Sequence, residues 1–473
     1  MQRRDFRSPL SLAHARALAF LEGLPDRPIR PSESGHAILA RIDRPVPPEP
    51  RDAREVVAEL VDIADPGVTA MPSGRFFGWV IGGGLPAAVA ADWLATAWDQ
   101  NTGSYEGTPA AAMFEQVAIR WVIELLELPP SASGALTTGA QMANTVGLAA
   151  ARNAAYAAIG HDVEARGLAG APRVHVLVGE ERHDTVMRSL RLLGLGSDTA
   201  IAIGSDANGR MRADRLAESL AQIDGPAVVC AQAGNVNTGG VDPMDPIADA
   251  IAARRARGAF TWLHVDGAFG LWARASADEA LRARVRGVDR ADSWATDGHK
   301  WPNVPYDCGV AIVRDRAAHE RAMAIHASYL PGSDDARLRN PFDWTPELSR
   351  RARGFALYAA LSELGRSGMA ALVDRTCAYA RRFAEELARV PGVSILNEID
   401  LNQVLVRFES GVGGDGDAHT RAVVRAIQED GTCYATGTTW RGRAALRISV
   451  CNASTDDEDV RRSIAAITRA HTG

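Results

Sequence analysis

The residues best suited to chemistry stand in Asp297-Gly298-His299-Lys300-Trp301. Lys300 follows a short apolar stretch and sits in a tight, glycine-containing turn. Its amine can form an imine with an aldehyde if its pKa is lowered or an acid–base group stands beside it, and His299 is that neighbour. A lone lysine is usually a solvated surface charge, so the upstream residues decide the reading. Thr137-Thr138-Gly139-Ala140-Gln141 opens an Ala-rich helix, whose first N–H groups, with the Thr138 hydroxyl, can hold a dianion. His183 lies just past the apolar run 174–178, where its ring can stack on a flat heteroaromatic. Asp266 closes the apolar run 260–265 and is followed by the small residues Gly267 and Ala268. A largely buried carboxylate needs a partner, and a pyridinium nitrogen is one. Ala268 is small enough to lie against the face of such a ring.

Taken singly, these are ordinary features: an N-capped helix, a loop histidine, a strand-end aspartate. In this order they are the parts of a pyridoxal 5'-phosphate (PLP) site, with the carboxylate keeping the ring nitrogen protonated as an electron sink. The elements that must position them alternate. Strand candidates at 174–178, 199–203, 227–231, 260–265, 293–296 and 309–313 have helical patterns between several of them, at 184–193, 212–223, 246–257 and 277–286. Such alternation implies an α/β unit with a largely parallel sheet covered on both faces, and ligands in these sheets sit beyond the carboxyl ends of the strands.

The rest of the chain frames that unit. Residues 1–72 read as an N-terminal arm, with helical patterns at 11–21 and 52–64 separated by a proline-dense crossing. Its apolar helices need a surface to cover, which favours packing on a second subunit over a floppy terminus. Residues 73–345 form the large domain. It opens with Arg75-Phe76-Phe77-Gly78-Trp79 and Gly82-Gly83-Gly84, followed by helices at 86–98 and 110–127. The aromatic cluster is either core or the wall of a flat ligand's pocket. Residues 346–473 read as a small C-terminal α+β domain, with helices at 345–364, 369–390, 418–429 and 455–469 and strands at 393–396, 402–408 and 444–450.

Composition narrows the classes. With 473 residues, 46% hydrophobic and 23% charged, the chain can bury a large core. A net charge of −6 leaves no basic excess for nucleic acid. Five scattered cysteines without a CxxC pair argue against zinc or a disulfide framework, so no metal is expected and the compartment is a reducing one. No secretory signal or run of about 18 uncharged apolar residues is present, so no membrane span is expected and cytoplasmic is the default. Gly411 to Gly416 matches G-x-G-x-x-G, but no βαβ array follows it, so a flexible glycine loop is preferred to a nicotinamide dehydrogenase's fingerprint.

The chain resembles the pyridoxal-phosphate-dependent decarboxylase family (group II), which includes aromatic amino acid, histidine, tyrosine and glutamate decarboxylases. Phe76-Phe77-Gly78, Thr138 through Asn144, His183, His264-Val265-Asp266-Gly267-Ala268 and His299-Lys300-Trp301 carry the likeness. It implies a type I aminotransferase-like fold, with a mostly parallel seven-stranded sheet in the large domain. It also implies an obligate homodimer with the site at the subunit interface. By that likeness Lys300 carries PLP as a Schiff base, Asp266 pairs with the pyridine nitrogen and His183 stacks on the ring. Thr138, Gly139, Ala140, Gln141 and His299 lie near the phosphate. The expected reaction is decarboxylation of an L-amino acid to its amine, with Lys300, His183 and Asp266 as the catalytic set. The alternatives are an aldehyde synthase, an aminotransferase or an aldol-type lyase on the same fold, and a non-catalytic dimeric scaffold. Phe76, Phe77, Trp79 and Trp98 tilt the substrate towards an aromatic or apolar side chain.

Two departures stand out. The family often has Asn-Pro before His-Lys, where this chain has Asp297-Gly298, and a negative Asp297 beside a phosphate is unfavourable. Family decarboxylases also carry a loop tyrosine that protonates the substrate carbon, and its loss is associated with aldehyde formation. Aligning Trp344 and Arg350-Arg351 puts that position near Pro341 or Phe342, and no tyrosine lies between Tyr329 and Tyr358. Tyr329 and His183 are the remaining donor candidates. Arg350 or Arg351 could reach a substrate carboxylate, solvated or interfacial arginines being the simpler reading.

Overall fold

The computed structural model of the protein describes residues 5–324, 338–411 and 414–473. Tyr329 and most of the loop that precedes Asn340 lie outside the described residues. The short apolar runs form one sheet: β1 (Ser133–Thr137), β2 (His175–Gly179), β3 (Ile201–Ile203), β4 (Ala227–Gln232), β5 (Thr261–Asp266), β6 (Ser293–Asp297) and β7 (Gly309–Val313), in the order β1-β7-β6-β5-β4-β2-β3. Strands β3, β2, β4, β5 and β6 run parallel, and β7 runs antiparallel between β6 and β1. Both β4 and β5 are buried along their whole length. Their side chains alternate between two cores. Val229, Leu263 and Val265 pack with Ile247 and Ile251 of the helix Met244–Arg255. Val228, Cys230 and Trp262 pack with Leu148 and Ala151 of the helix Ala140–Ala157 on the other face. This is the type I aminotransferase-like α/β fold, and two-sided burial is why its strands read as continuous apolar runs.

Strand β1 was not among the expected strands. It is five residues long, contains Gly134 and runs directly into the Thr-Thr-Gly turn, so no alternating pattern announces it. The strand Thr436–Trp440 was missed as well: its Thr-Gly-Thr-Thr-Trp composition reads as a turn.

In the C-terminal part, β8 (Val393–Ile395), β9 (Gln403–Phe408), β10 (Thr436–Trp440) and β11 (Arg443–Ser449) make an antiparallel sheet in the order β10-β11-β9-β8. The helices Gly416–Asp430 and Asp457–Thr472 cover it, the latter opened by an Asp456–Asp459 capping box. The helix expected from residue 345 begins only at Gly354 and runs to Leu387, bent at Gly365, whose φ is +59°. It packs in the large core through Leu357, Leu361 and Leu372, and near its C-terminal end in the small core through Phe383 and Leu387. Residues before Gly354 cannot join it, because Arg350 is held by Asn101 and Thr102 through its backbone.

The arm forms three helices, Arg7–Gly23, Gly35–Ile42 and Ala53–Ala64, none of which contains a buried residue. The arm is anchored at the crossing, where Ile29 is fully buried and its N–H donates to the Gly431 carbonyl, at the fully buried Ala70, and through His14, edge-on to Trp93. No described helix is long and apolar enough to cross a membrane.

Candidate active site

Strands β5 and β6 are parallel neighbours, and both end in aspartate at the carboxyl edge. Asp266 is buried, and burial pushes its carboxyl upward in pKa. The groups that draw it back towards ionisation are His183 when protonated, the Lys300 charge, the Asn144 side chain, and the Ala268 N–H, which donates at 3.3 Å. Behind Asn144 runs a buried relay. Trp262 Nε1–H donates to Ser293 Oγ at 2.8 Å, which lies 2.8 Å from His264 Nδ1, and His264 Nε2 is 2.9 Å from Asn144 Oδ1. Burial holds His264 neutral, its pKa pushed down to about 3. With Asn144 Oδ1 towards the ring, Nε2 carries the proton, and the amide nitrogen of Asn144 is left facing Asp266. That nitrogen has no fully formed hydrogen bond of its own. The relay is packed against bare backbone: a Cβ on Gly147 would come within 2.8 Å of His264 Cε1.

His183 caps the helix Asp184–Leu192, its Nδ1 accepting from the Thr185 N–H. An Nδ1 that accepts an N–H is unprotonated, and burial lowers the pKa further, so the imidazole is neutral with its proton on Nε2.

The Lys300 turn is bolted on all sides. Trp301 is fully buried and donates to Thr376 Oγ1 at 2.8 Å. Asn303 Nδ2 donates to the Trp301 and Cys451 carbonyls, tying the turn to the segment after β11. The glycine triplet finds its purpose here. A Cβ on Gly82 would lie 1.8 Å from the Lys300 carbonyl oxygen, so the close approach is to the lysine's own backbone. Lys300 Nζ lies 3.0 Å from Asp297 Oδ2.

At the other end, β1 turns through Thr138 and Gly139 into the helix Ala140–Ala157. The Ala140 N–H donates to Asp297 Oδ1 at 2.6 Å, and His299 Nε2 lies 3.4 Å from the same oxygen. His299 Nδ1 accepts from the Cys308 N–H, so Nε2 carries the proton, and burial keeps the ring neutral. Thr138 is exposed. Gln141 differs from expectation: its side chain turns away, donating to Ser189 Oγ and the Thr185 carbonyl, which leaves only its backbone facing this end.

Other expectations are corrected. Arg350 is neither solvated nor free for a substrate. It is fully buried, paired at 3.0 Å with the equally buried Glu115, and donates to the Thr102 and Leu136 carbonyls. Arg351 pairs with Asp92 at 2.8 Å. Phe77 is a core residue of the small domain, edge-on to Phe383, and Phe76 stacks on Tyr434, so neither is free to wall a ligand's ring. Pro341 and Phe342 are buried in a short helical turn. The Gly411–Gly416 match opens its helix with Asp415 as cap and Asp417 beside it, two carboxylates where a pyrophosphate would need donors. Sequence reasoning missed Arg447. It lies on β11, buried, with Nε unpartnered and one donor 3.4 Å from Asn237 Oδ1. Among the described residues no carboxylate pairs with it, and its field reaches His183. Burial alone pushes its pKa down to about 10.

A buried carboxylate, a neutral flat ring, one amine, a helix start and a buried guanidinium with no carboxylate partner among the described residues make a donor set that fits PLP and an amino acid. Residues 36–409 match the pyridoxal-dependent decarboxylase conserved domain. The chain belongs to the pyridoxal-dependent decarboxylase family. Its cofactor is PLP, and it is an amino acid decarboxylase. It is 31% identical over 392 residues to L-2,4-diaminobutyrate decarboxylase of Rhizobium meliloti, covering 80% of this chain and 74% of that one. It is 28% identical over 428 residues to tryptophan decarboxylase 1 of Oryza sativa subsp. japonica, covering 85% and 81%. Its fold is that of Oryza sativa TDC solved with PLP and tryptamine, at a TM-score of 0.91 and 24% identity over 100% of this chain and 99% of that one. Within this decarboxylase, Gly309 allows the strand–helix junction to close: a Cβ there would lie 2.4 Å from the Gly139 backbone.

Proposed function

We propose that this decarboxylase holds its cofactor covalently on Lys300 and converts an L-amino acid to its amine. The observation that carries this is a count: the chain has one lysine, Lys300, against 51 arginines. Arginine replaces lysine wherever a charge suffices, but a guanidinium cannot supply the amine that captures an aldehyde. The single ε-amine stands within electrostatic reach of Asp266 and His183.

Bound there, PLP supplies a sink for the electron pair released when a bond at the substrate α-carbon breaks. Asp266 holds the proton on the ring nitrogen, and the relay through Asn144 and His264 keeps Asp266 aimed. Neutral His183 covers the ring face. It is held at Nδ1 by Thr185, which makes it a poor acid and favours stacking over proton delivery. The N–H groups from Gly139 to Gln141, with Thr138 and His299, receive the phosphate. Arg447, an unpaired buried cation, meets the substrate carboxylate and fixes its direction relative to the ring.

The arm supports a homodimer. Leu10, Leu39, Ile42 and Leu60 are each more than half exposed, as unpartnered apolar helices require when a second subunit covers them. A second reading, decarboxylation with oxidative deamination to an aldehyde, rests on one observation: no tyrosine lies between Tyr329 and Tyr358. An amino acid panel assayed for CO₂, amine, aldehyde and ammonia separates the two. Amine matched to CO₂ supports the first reading, and aldehyde matched to ammonia replaces it with the second.

A further inference from the structure

Asp297 occupies the place where the phosphate end of the site collects its donors. One carboxylate oxygen takes the Ala140 N–H at 2.6 Å and lies 3.4 Å from His299 Nε2, and the other lies 3.0 Å from Lys300 Nζ. A helix-start N–H and a histidine N–H are what a phosphate dianion seeks. The backbone of Asp297 cannot shift to clear the way. Its N–H donates to the Ala268 carbonyl at 3.0 Å, its carbonyl accepts from Trp272 Nε1 at 3.1 Å, and it pairs with Gly309 on β7. The cup has no slack either: a Cβ on Gly139 would sit 3.2 Å from His299 Cε1 and 3.5 Å from Asp297 Oδ1.

We propose that Asp297 is a resident anion that competes with the cofactor phosphate, so that this enzyme binds PLP more weakly, and exchanges it more readily, than the same site with a neutral amide. The proposal rests on the cofactor reading above. With a phosphate bound there, the Ala140 N–H would pass to it, and Asp297 would keep its contact with Lys300. An asparagine would add a donor where the aspartate adds a like charge.

The test titrates cofactor-free wild type and Asp297→Asn with PLP, with pyridoxal and with inorganic phosphate, following quenching of tryptophan fluorescence rather than turnover. We expect the variant to bind PLP and inorganic phosphate roughly tenfold or more tightly, the size of one charge-assisted hydrogen bond gained. Pyridoxal, which lacks the phosphate, should change by no more than about twofold on the same scale. Asp297→Ala, which removes the charge without adding a donor, should also favour PLP over pyridoxal and guards against misfolding of the first variant. Equal or weaker PLP binding by both variants overturns the proposal. So does an equal gain for pyridoxal, which would trace the effect to the Lys300 charge. Failure of wild type and variants alike to bind PLP would instead overturn the cofactor reading, a separate result.

Discussion

Asp266 and Asp297 end adjacent parallel strands, are both buried and both lie within reach of Lys300, yet their surroundings differ. Asp266 is fed by neutral donors, the Asn144 side chain and the Ala268 N–H, and among the described residues no ion pair satisfies it. Asp297 is already satisfied by a helix start and the lysine. The first arrangement is built to receive a cation, while the second already holds one, the Lys300 amine, beside a helix-start N–H. What separates them is the chemistry of the second layer: Asn144 and His264 behind one carboxylate, backbone N–H and ammonium in front of the other.

Breaking the Asp266 end should cost most. Asp266→Asn should lower kcat by about a thousandfold, the scale of a lost preorganised charge, measured as CO₂ release at saturating cofactor. Arg447→Met should come next, with a loss of about a hundredfold in kcat/KM falling mainly on KM, as expected when a buried cation no longer meets a carboxylate. His264→Gln sharpens the comparison. We expect a loss of about 1–3 kcal/mol in stability from the broken relay, read by denaturant unfolding. Its pH signature is specific. The folded pKa of His264, about 3, lies below its unfolded value of about 6.5. The buried neutral ring therefore contributes fully above pH ~6.5 and loses that contribution as pH falls towards 3. The variant should lose stability less steeply over that range, by one proton. His319, likewise pushed to about 3 by burial, stays in both proteins as an internal reference. At the phosphate end Thr138→Ala should weaken PLP binding only severalfold, about one neutral hydrogen bond. Asp297→Asn, by contrast, is expected to tighten it.

The ordered set from Thr138 to Lys300 was legible because each member sits at an element boundary, where short apolar runs meet small residues. The large sheet was legible for a related reason: strands buried on both faces leave continuous apolar runs. Arg447 was not legible, since one arginine among 51 shows nothing until its burial and lack of a carboxylate are seen. Arg350 misled in the opposite sense. Its partner Glu115 lies on a distant helix, and only the fold brings the two charges together. Phe76 and Phe77 look like a ligand wall in sequence, but they pack into the small domain across a long stretch of chain.

The proposed covalent attachment of the cofactor to Lys300 is open to one decisive measurement, because the sequence holds a single lysine. The PLP-loaded enzyme is reduced with borohydride, digested, and its peptides are weighed. The expected result is a single reduced pyridoxyl adduct on the peptide containing Lys300, absent from Lys300→Ala. An enzyme that retains PLP but carries no adduct there, or carries it on the α-amino terminus, would contradict it.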